Sequence, residues 1–491
     1  MPTKSDEIRR TVNASISIVL ILLELAFIVY LARYSNFPAL WDWVYGLLSL
    51  VLLNWLVIKL NNFRKIYGMY TVGGSHGINF IDSISKRCQW FWNAMADWGF
   101  VVSLGLLSHF VFRQTDKKTL AIGIITAIGI FVLIFPYYTL AFQFINLPQL
   151  TSITAQSASA SAAAPQSVHY FVIGIILLLL LIGGFALLIT SLIIYVAAST
   201  LYGIASFLGS VAAHAPNVAA LSAYPPGVAP LLPGLDLPFF AGIATFIILL
   251  TVHEFSHGVL ARMAKVKLKE IGVLMFGAIP VGAYVEPDDK QVKKLKAQVQ
   301  NRILIAGIAA NLLLGIITFI LLLIFATHVL PQVMTTTLTV SALVPNSPAA
   351  GVIPLGAHVL SWNNISVGKG FNLSQIAADR KPFSAVNLVT NKGNFSVTTN
   401  ATGKIGVFLS EGSAPIQGSI VSAIAYFLYV VLSLSFLFNL LVGIANLLPI
   451  PGLDGWQIYQ LRAKDSKLLT TLAYLTIIAL LITVLPWIWT I

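Results

Sequence analysis

Apolar residues in this chain gather into long unbroken runs, and polar residues collect in the gaps between them. A helix needs about 20 such residues to cross about 30 Å of hydrocarbon. Nine runs reach that length, at 13–33, 40–60, 91–112, 119–141, 168–196, 238–262, 303–328, 418–444 and 470–489. The pattern predicts an all-α polytopic membrane protein of about nine transmembrane helices. The least regular part is 168–237, whose apolar stretch exceeds one simple crossing. A proline-rich, nearly uncharged tail follows it, YPPGVAPLLPGLDLP at 224–238. Irregular backbone at membrane depth must be covered by other protein, so this tail reads as a re-entrant segment.

In two places the helical pattern gives way. GVLMFGAIPVGAYVEPDD, 272–289, is interrupted by Gly277, Pro280 and Gly282 between β-favouring residues. It predicts a short membrane-associated β-hairpin or loop dipping back toward the bilayer. The second place, 330–416, is the one long polar stretch, with alternating runs such as TLTVSALV. That alternation predicts strands and turns. Within it, SALVPNSPAAGVIPLGAHVLSWNNISV resembles the core of a PDZ domain, a small α/β fold. Ala357 and His358 stand where an Asp usually follows the glycine, here Gly356.

Composition agrees with a membrane protein: 57% of residues are hydrophobic and 9% charged, against about 25% charged in soluble chains. The first apolar run is long enough to span and shows no clear cleavage site, so it reads as a retained helix. The net charge of +12 is read as basic loops on the cytoplasmic side, not as nucleic-acid binding. With the N-terminus inside, 20 of the 29 Lys and Arg fall in cytoplasmic segments, at 1–12, 59–90, 262–302 and 462–467. Arg113, Lys117 and Lys118 fall outside and break the rule. The uncharged loop 142–167 is Ser/Ala-rich and reads as a flexible linker. Lys290–Arg302 reads as a basic interfacial helix on anionic lipid. Four N-x-S/T sequons begin at Asn364, Asn372, Asn394 and Asn400, all in the segment placed outside. Cys88 is the sole cysteine, which excludes an intrachain disulfide and a cysteine-based metal site.

The candidate chemistry lies in TVHEFSHG, 251–258, at the end of the apolar run Phe239–Val252. His253 and His257 are four apart, so a helix stacks them on one face, where both imidazoles can reach one metal ion. Glu254 is placed to take a proton from a water activated there. A catalytic zinc site needs a third protein ligand. Asp454, in NLLPIPGLDGW, is one candidate: Pro449 and Pro451 break the helix, and both spans end on the cytoplasmic side by the count above. Glu24 and Asp97 compete as carboxylates inside apparent spans, where pairing is the commoner role. His109, His169, His214, His328 and His358 stand alone and read as ordinary hydrogen-bonding histidines. Asn311, inside the span after the hairpin, reads as an interhelical hydrogen-bond partner.

Taken together, HEFSH in an apolar helix, GAYVEPDD, AGIAAN, the PDZ-like insertion and NLLPIPGLDG resemble the site-2 protease family of intramembrane zinc metalloproteases. The resemblance runs in order over 231–460, and PLLPGLDLP is similar to its archaeal and eukaryotic-type branch. It implies one zinc ion held by His253, His257 and Asp454, with Glu254 as catalytic acid/base. It also implies that Asn446 and Asn311 contact substrate backbone or an oxyanion. The expected activity is endoproteolysis of transmembrane segments of single-pass membrane proteins, often membrane-tethered regulators. The expected domains are N-terminal helices 1–200, a catalytic core at 201–329 and 417–491, and the PDZ-like domain at 330–416. The expected location is the cell membrane, with the active site near the cytoplasmic side and the PDZ-like domain outside. The other classes open to the sequence are an inactive membrane scaffold and an ion or metal transporter.

Overall fold

The computed structural model describes residues 4–486, apart from 35–38, 67, 76, 146–165, 379–380, 417, 465, and all of 215–235 but 217, 221, 227, 231 and 233. The Ser/Ala-rich linker and most of the proline-rich tail therefore lie outside the described residues. The chain divides into two compact units, 1–319 with 433–491, and 320–432.

The first unit is helical. Its order begins α1 (Lys4–Tyr34), α2 (Ala39–Asn61), β1 (Lys65–Ile66), β2 (Met69–Gly74), α3 (Ile78–Ser85), α4 (Gln89–Leu104), α5 (Leu107–Phe110) and α6 (Lys117–Gly129). It continues with α7 (Gln166–Ala212), α8 (Phe239–Met263), β3 (Leu268–Phe276), β4 (Ile279–Pro287) and α9 (Ala297–Ile324). Among the described residues, eight helices of the whole chain are long and apolar enough to cross a membrane. A helix satisfies its own backbone polar groups, which hydrocarbon cannot do, so these apolar runs have no other open-chain solution.

The predicted span 91–112 is not one crossing. It folds as α4 and α5, broken at Gly105 (φ 54°, ψ −136°). The chain then turns back, and Gln114 Nε2 donates to Asp97 Oδ1 at 3.0 Å. A continuous helix would hold residues 97 and 114 about 25 Å apart. Gln298 Nε2 donates to the Arg113 carbonyl at 2.9 Å, and Asn301 Nδ2 to Gln114 Oε1 at 3.2 Å. Residues 113–114 thus sit at the same end as 297–302, where counting crossings put them on opposite sides. Arg113 thus lies beside the basic segment 290–302. Apolar length cannot distinguish a crossing from a helix pair that reverses within the bundle. Asp97 is paired, accepting from Arg302 Nε at 2.9 Å and Nη2 at 2.7 Å.

The reversal depends on a second broken helix. Inside α7, Gly184 takes φ 58°, ψ −155°. A Cβ on Gly105 would lie 2.5 Å from the Leu181 carbonyl oxygen, and one on Gly184 would lie 2.4 Å from Ser103 backbone. Both positive-φ breaks occur where two backbones touch, which only glycine allows. There Leu106 N–H, left free by the end of α4, donates to the Leu181 carbonyl at 2.9 Å.

The predicted hairpin is β3–β4, with its turn at Gly277, and it belongs to a larger antiparallel sheet of order β1-β2-β3-β4. Strands β1 and β2 come from 65–74, within a segment that reads as a loop in the sequence. Tyr70 pairs with Met275 and Gly74 with Ile271. Arg64 bonds Glu286 across this sheet and holds that carboxyl below its usual range. The hairpin tip docks on α2: Gly277 N–H donates to Asn54 Oδ1 at 3.3 Å, and Tyr70 donates to the Gly277 carbonyl at 2.7 Å. Asn54 is 7% exposed and Tyr70 1%, so these bonds are sheltered from water. Glu24, between α1 and α2, accepts from Ser49 Oγ at 2.8 Å, the structural pairing expected for it.

The second unit holds an antiparallel sheet built from β5 (Met334–Leu343), β6 (His358–Trp362), β7 (Ile365–Ser366), β8 (Ala385–Thr390), β9 (Gly393–Thr398) and β10 (Val407–Pro415). Their order is β10-β5-β6-β8-β9, with β7 on β6. Helix α10 (Leu373–Ala378) precedes β8. Inward-facing residues fill one core, including Leu338, Val340, Val359, Trp362, Val386 and Leu388. The sequon asparagines 364, 372, 394 and 400 are all exposed. After the sheet come α11 (Ile420–Ala445), α12 (Asp454–Arg462) and α13 (Lys467–Val484).

Replacing Tyr70 by Phe removes the hydroxyl that holds the hairpin tip and leaves a buried carbonyl unpaired, at a cost of about 1–3 kcal/mol. Amide hydrogen exchange across 272–284 should accelerate in the Tyr70→Phe protein while α8 exchanges as in wild type. Unchanged exchange at the tip would show that the clamp does not hold it.

Candidate metal centre

Helix α8 carries both histidines on its buried face, with ring centroids 4.9 Å apart. The second ring is oriented by its far nitrogen. His257 Nδ1–H donates to the Ile303 carbonyl of α9 at 2.6 Å, which leaves Nε2 free for a metal. The sharp approach of α9 depends on Gly307. A Cβ there would lie 2.5 Å from His257 Nε2 and 2.6 Å from His253 Cδ2. Gly307 lies within AGIAAN, one turn before Asn311. A small residue one turn before an asparagine was the available signal, and small residues are too common in membrane helices to decide it.

The third arm comes from the break after α11. Residues 446–453 leave the helix, and α12 begins at Asp454. Gly455 N–H donates to the Asn446 carbonyl at 2.8 Å. Tyr459 donates to the Leu447 carbonyl at 2.6 Å, and burial pushes that phenol's pKa up. These two bonds pin the irregular segment at both sides of Asp454. The carboxylate arrives with Oδ2 at 3.1 Å from His253 Nε2 and 3.3 Å from His257 Nε2. Burial disfavours this carboxylate, but the charge of His257 and hydrogen bonds from both rings hold its pKa well below the usual carboxylate range.

This donor set fits zinc. The ligand atoms of His253, His257 and Asp454 all lie within 4.8 Å of one another. Bonds of 2.0–2.1 Å in a tetrahedral site separate neighbouring ligand atoms by about 3.3 Å, close to the separations from Asp454 Oδ2. Three protein ligands leave a fourth position open. Among the described residues this is the group of three or more His, Cys, Asp or Glu able to hold an ion. Glu24 and Asp97, its competitors in the sequence, are paired elsewhere.

Glu254 is beside the first ligand. Its Oε2 accepts from the Val285 N–H of β4 at 3.0 Å, so the hairpin fixes the general-base candidate. Asn311 sits against His253, with its amide nitrogen 3.2 Å from His253 Nδ1 and its Oδ1 unpaired in the protein. Rotating that amide by half a turn places Oδ1 where it accepts from Nδ1–H and frees His253 Nε2 for the metal. Asn446 behaves differently from Asn311. Its Nδ2 donates to the Val442 carbonyl of its own helix at 3.0 Å. His109 and His328 bond locally to Thr115 and Thr327, and His358 bonds Thr339 on the neighbouring strand.

Two histidines and an aspartate that converge, with a glutamate beside the first, form a candidate metalloprotease site of the HExxH class. Residues 241–484 match the model of peptidase family M50, and through this segment the chain belongs to that family of zinc metalloproteases. The chain is also similar to an uncharacterized protein of Methanocaldococcus jannaschii, 25% identical over 228 residues, which is 46% of this chain and 57% of that protein. The chain therefore spans somewhat over half the length of this curated relative.

A methyl group at residue 307 pushes directly on both imidazoles. Gly307→Ala should lose bound zinc, read by elemental analysis of the purified protein, while keeping wild-type helicity by circular dichroism. Retention of one zinc per chain would show that the packing of α9 does not set the ligand geometry.

Proposed function

We propose that this protein is a zinc-dependent intramembrane endopeptidase that cuts transmembrane segments of single-pass membrane proteins, membrane-tethered regulators among them. The observation that carries the reading is the meeting of His253, His257 and Asp454 beside Glu254, drawn from elements 201 residues apart in the chain. Zinc held there supplies Lewis acidity, which acidifies a water and polarises a peptide carbonyl. The protein's own groups perform the proton chemistry. Glu254 accepts the proton of the attacking water and returns it to the leaving nitrogen. Val285 N–H keeps Oε2 aimed during both transfers. Asn311 acts through His253 by fixing its ring; the substrate or oxyanion contact expected for Asn446 would require its amide to leave Val442.

A peptide inside a helix hides its amides in its own hydrogen bonds, so a substrate must be held extended to be cut. Strand β4 is the edge of its sheet and borders the site through Val285. Along an antiparallel strand, alternate residues turn their polar groups to the same side. Ala283 therefore offers its N–H and C=O on the side that Val285 offers to Glu254. We infer that unwound substrate pairs there as an added strand.

The PDZ-like reading of 330–416 rests on the order of its turn, Gly356 and strand β6, and on its compact antiparallel core. The sequons support an outer location for that segment. The Lys and Arg of 262–302 support a cytoplasmic location for the site's end of α8, in a cell membrane.

Glu254→Gln separates this reading from a scaffold or a transporter. General acid–base catalysis contributes about 10²–10⁴-fold, so cleavage of single-pass helices should fall by that factor with zinc content unchanged. A chelator should abolish wild-type cleavage, with cut sites read by mass. Undiminished cleavage in either arm would defeat the assignment. Ala283→Pro removes one outward N–H without a bond to β3, and should raise KM for helical substrates while leaving zinc content intact. An unchanged KM would remove β4 as the docking edge.

A further inference from the structure

Above the metal centre is a set of buried polar side chains of which Asn311 alone has a use in the chemistry described so far. Helix α11 touches two neighbours there. Its Phe438 stacks on Phe246 of α8, with centroids 5.5 Å apart and planes at 14°. Its Leu440 fills the space beside Gly315 of α9, where a Cβ would meet Leu440 Cδ2 at 2.7 Å. Asn439 lies between those two in the chain and is enclosed among the packed helices.

Asn439 is 0% exposed. Its Nδ2 donates to the Ser435 carbonyl at 2.8 Å, and its Oδ1 has no partner among the described residues. Ser435 Oγ, one turn further along, is likewise buried and unpaired, and so is Thr245 Oγ1 on α8. Thr245 is two turns before His253, about 12 Å along the axis. One turn toward the site from Asn439, Gly443 lies against Asn311, whose Cβ would be 3.4 Å from a Cβ built there. Asn311 has one amide atom unpaired whichever way its amide is turned. Thr245, Ser435, Asn439 and Asn311 are thus buried polar side chains on the three helices next to His253, and Asn311 touches that ring itself.

An unpaired buried polar atom is destabilising, and the surrounding Phe and Leu side chains offer no hydrogen bond. All four residues are at most 1% exposed, so no peptide can reach them. Water is the ligand small enough to do so, and buried waters characteristically bridge such groups. We propose that Thr245, Asn311, Ser435 and Asn439 line a file of internal water molecules that feeds the metal centre. The supply role rests on the protease reading above; the presence of the file does not. A hydrolase in hydrocarbon consumes one water per bond cut, and a store behind the ligands serves each turnover without opening the substrate side.

The test is X-ray hydroxyl-radical labelling of the full chain in lipid nanodiscs, in wild type and in the Glu254→Gln variant. Radicals form from water itself, so buried side chains beside internal water become oxidised. Phe438 and Leu440 should be labelled well above Phe100 and Ile130, which are equally buried elsewhere. Thr245→Val with Asn439→Leu should reduce that labelling about tenfold, and single-turnover cleavage should slow by a similar factor at unchanged zinc content and KM. Ser435→Ala, a smaller change, should give an intermediate loss of labelling. Labelling of Phe438 and Leu440 no greater than at Phe100 would overturn the file and leave the protease assignment intact. Strong labelling that the double variant abolishes while cleavage stays at the wild-type rate would overturn the supply role.

Discussion

The structure depends on bringing one carboxylate to two imidazoles in a place where water is scarce. Asp454 is costly to bury, and its neighbours repay that cost only if both rings are already in position. The protein fixes each ring from behind, through Ile303 for His257 and Asn311 for His253. It fixes the carboxylate by pinning a proline-broken segment through Tyr459 and Gly455. None of the three ligands relies on its own helix alone. A site assembled this way has its geometry set by interhelical contacts, so packing errors remote from the ligands are transmitted to them.

The β-sheet serves the same centre from the other side. Glu254 is held by a backbone N–H of β4, and β4 is placed by β3, by β2 and by a turn clamped on α2. The chain of contacts runs from Asn54 and Tyr70 through Gly277 and along the hairpin to Val285. A single element therefore orients Glu254 and presents an open edge beside it.

The site was largely legible in the sequence because its residues carry local signatures. Two histidines four apart on an apolar run have one geometric consequence. An aspartate behind two prolines is set free of its helix in a way that Glu24 and Asp97 are not. The hairpin was legible from Gly277, Pro280 and Gly282. What escaped the sequence is pairing over distance. Strand β2 contains MYTVGG, short and glycine-ended, and nothing local links it to residues two hundred positions away. The reversal at Gly105 escaped for a related reason: an apolar run reports hydrocarbon compatibility, and a helix pair that turns back inside the bundle is as apolar as one that crosses. Its partner break at Gly184 sits within LLLLLIGGFALL, where a glycine pair in a membrane helix suggests close packing before it suggests a break. Gly307 was invisible because its function is to be absent, leaving room for rings contributed by another helix.

The contribution of β2 to the catalytic sheet has a consequence for how the molecule can be divided. The family match begins at residue 241, and a boundary drawn there looks natural on the sequence. Cutting there would strip β3 of its neighbour and bare a row of unmet amides, VLMF among them, the kind of margin along which chains zip together and precipitate. The amino-terminal portion is in this respect a fitted half of one device, and the smallest stretch of this protein able to stand alone is longer than the stretch that bears the chemistry.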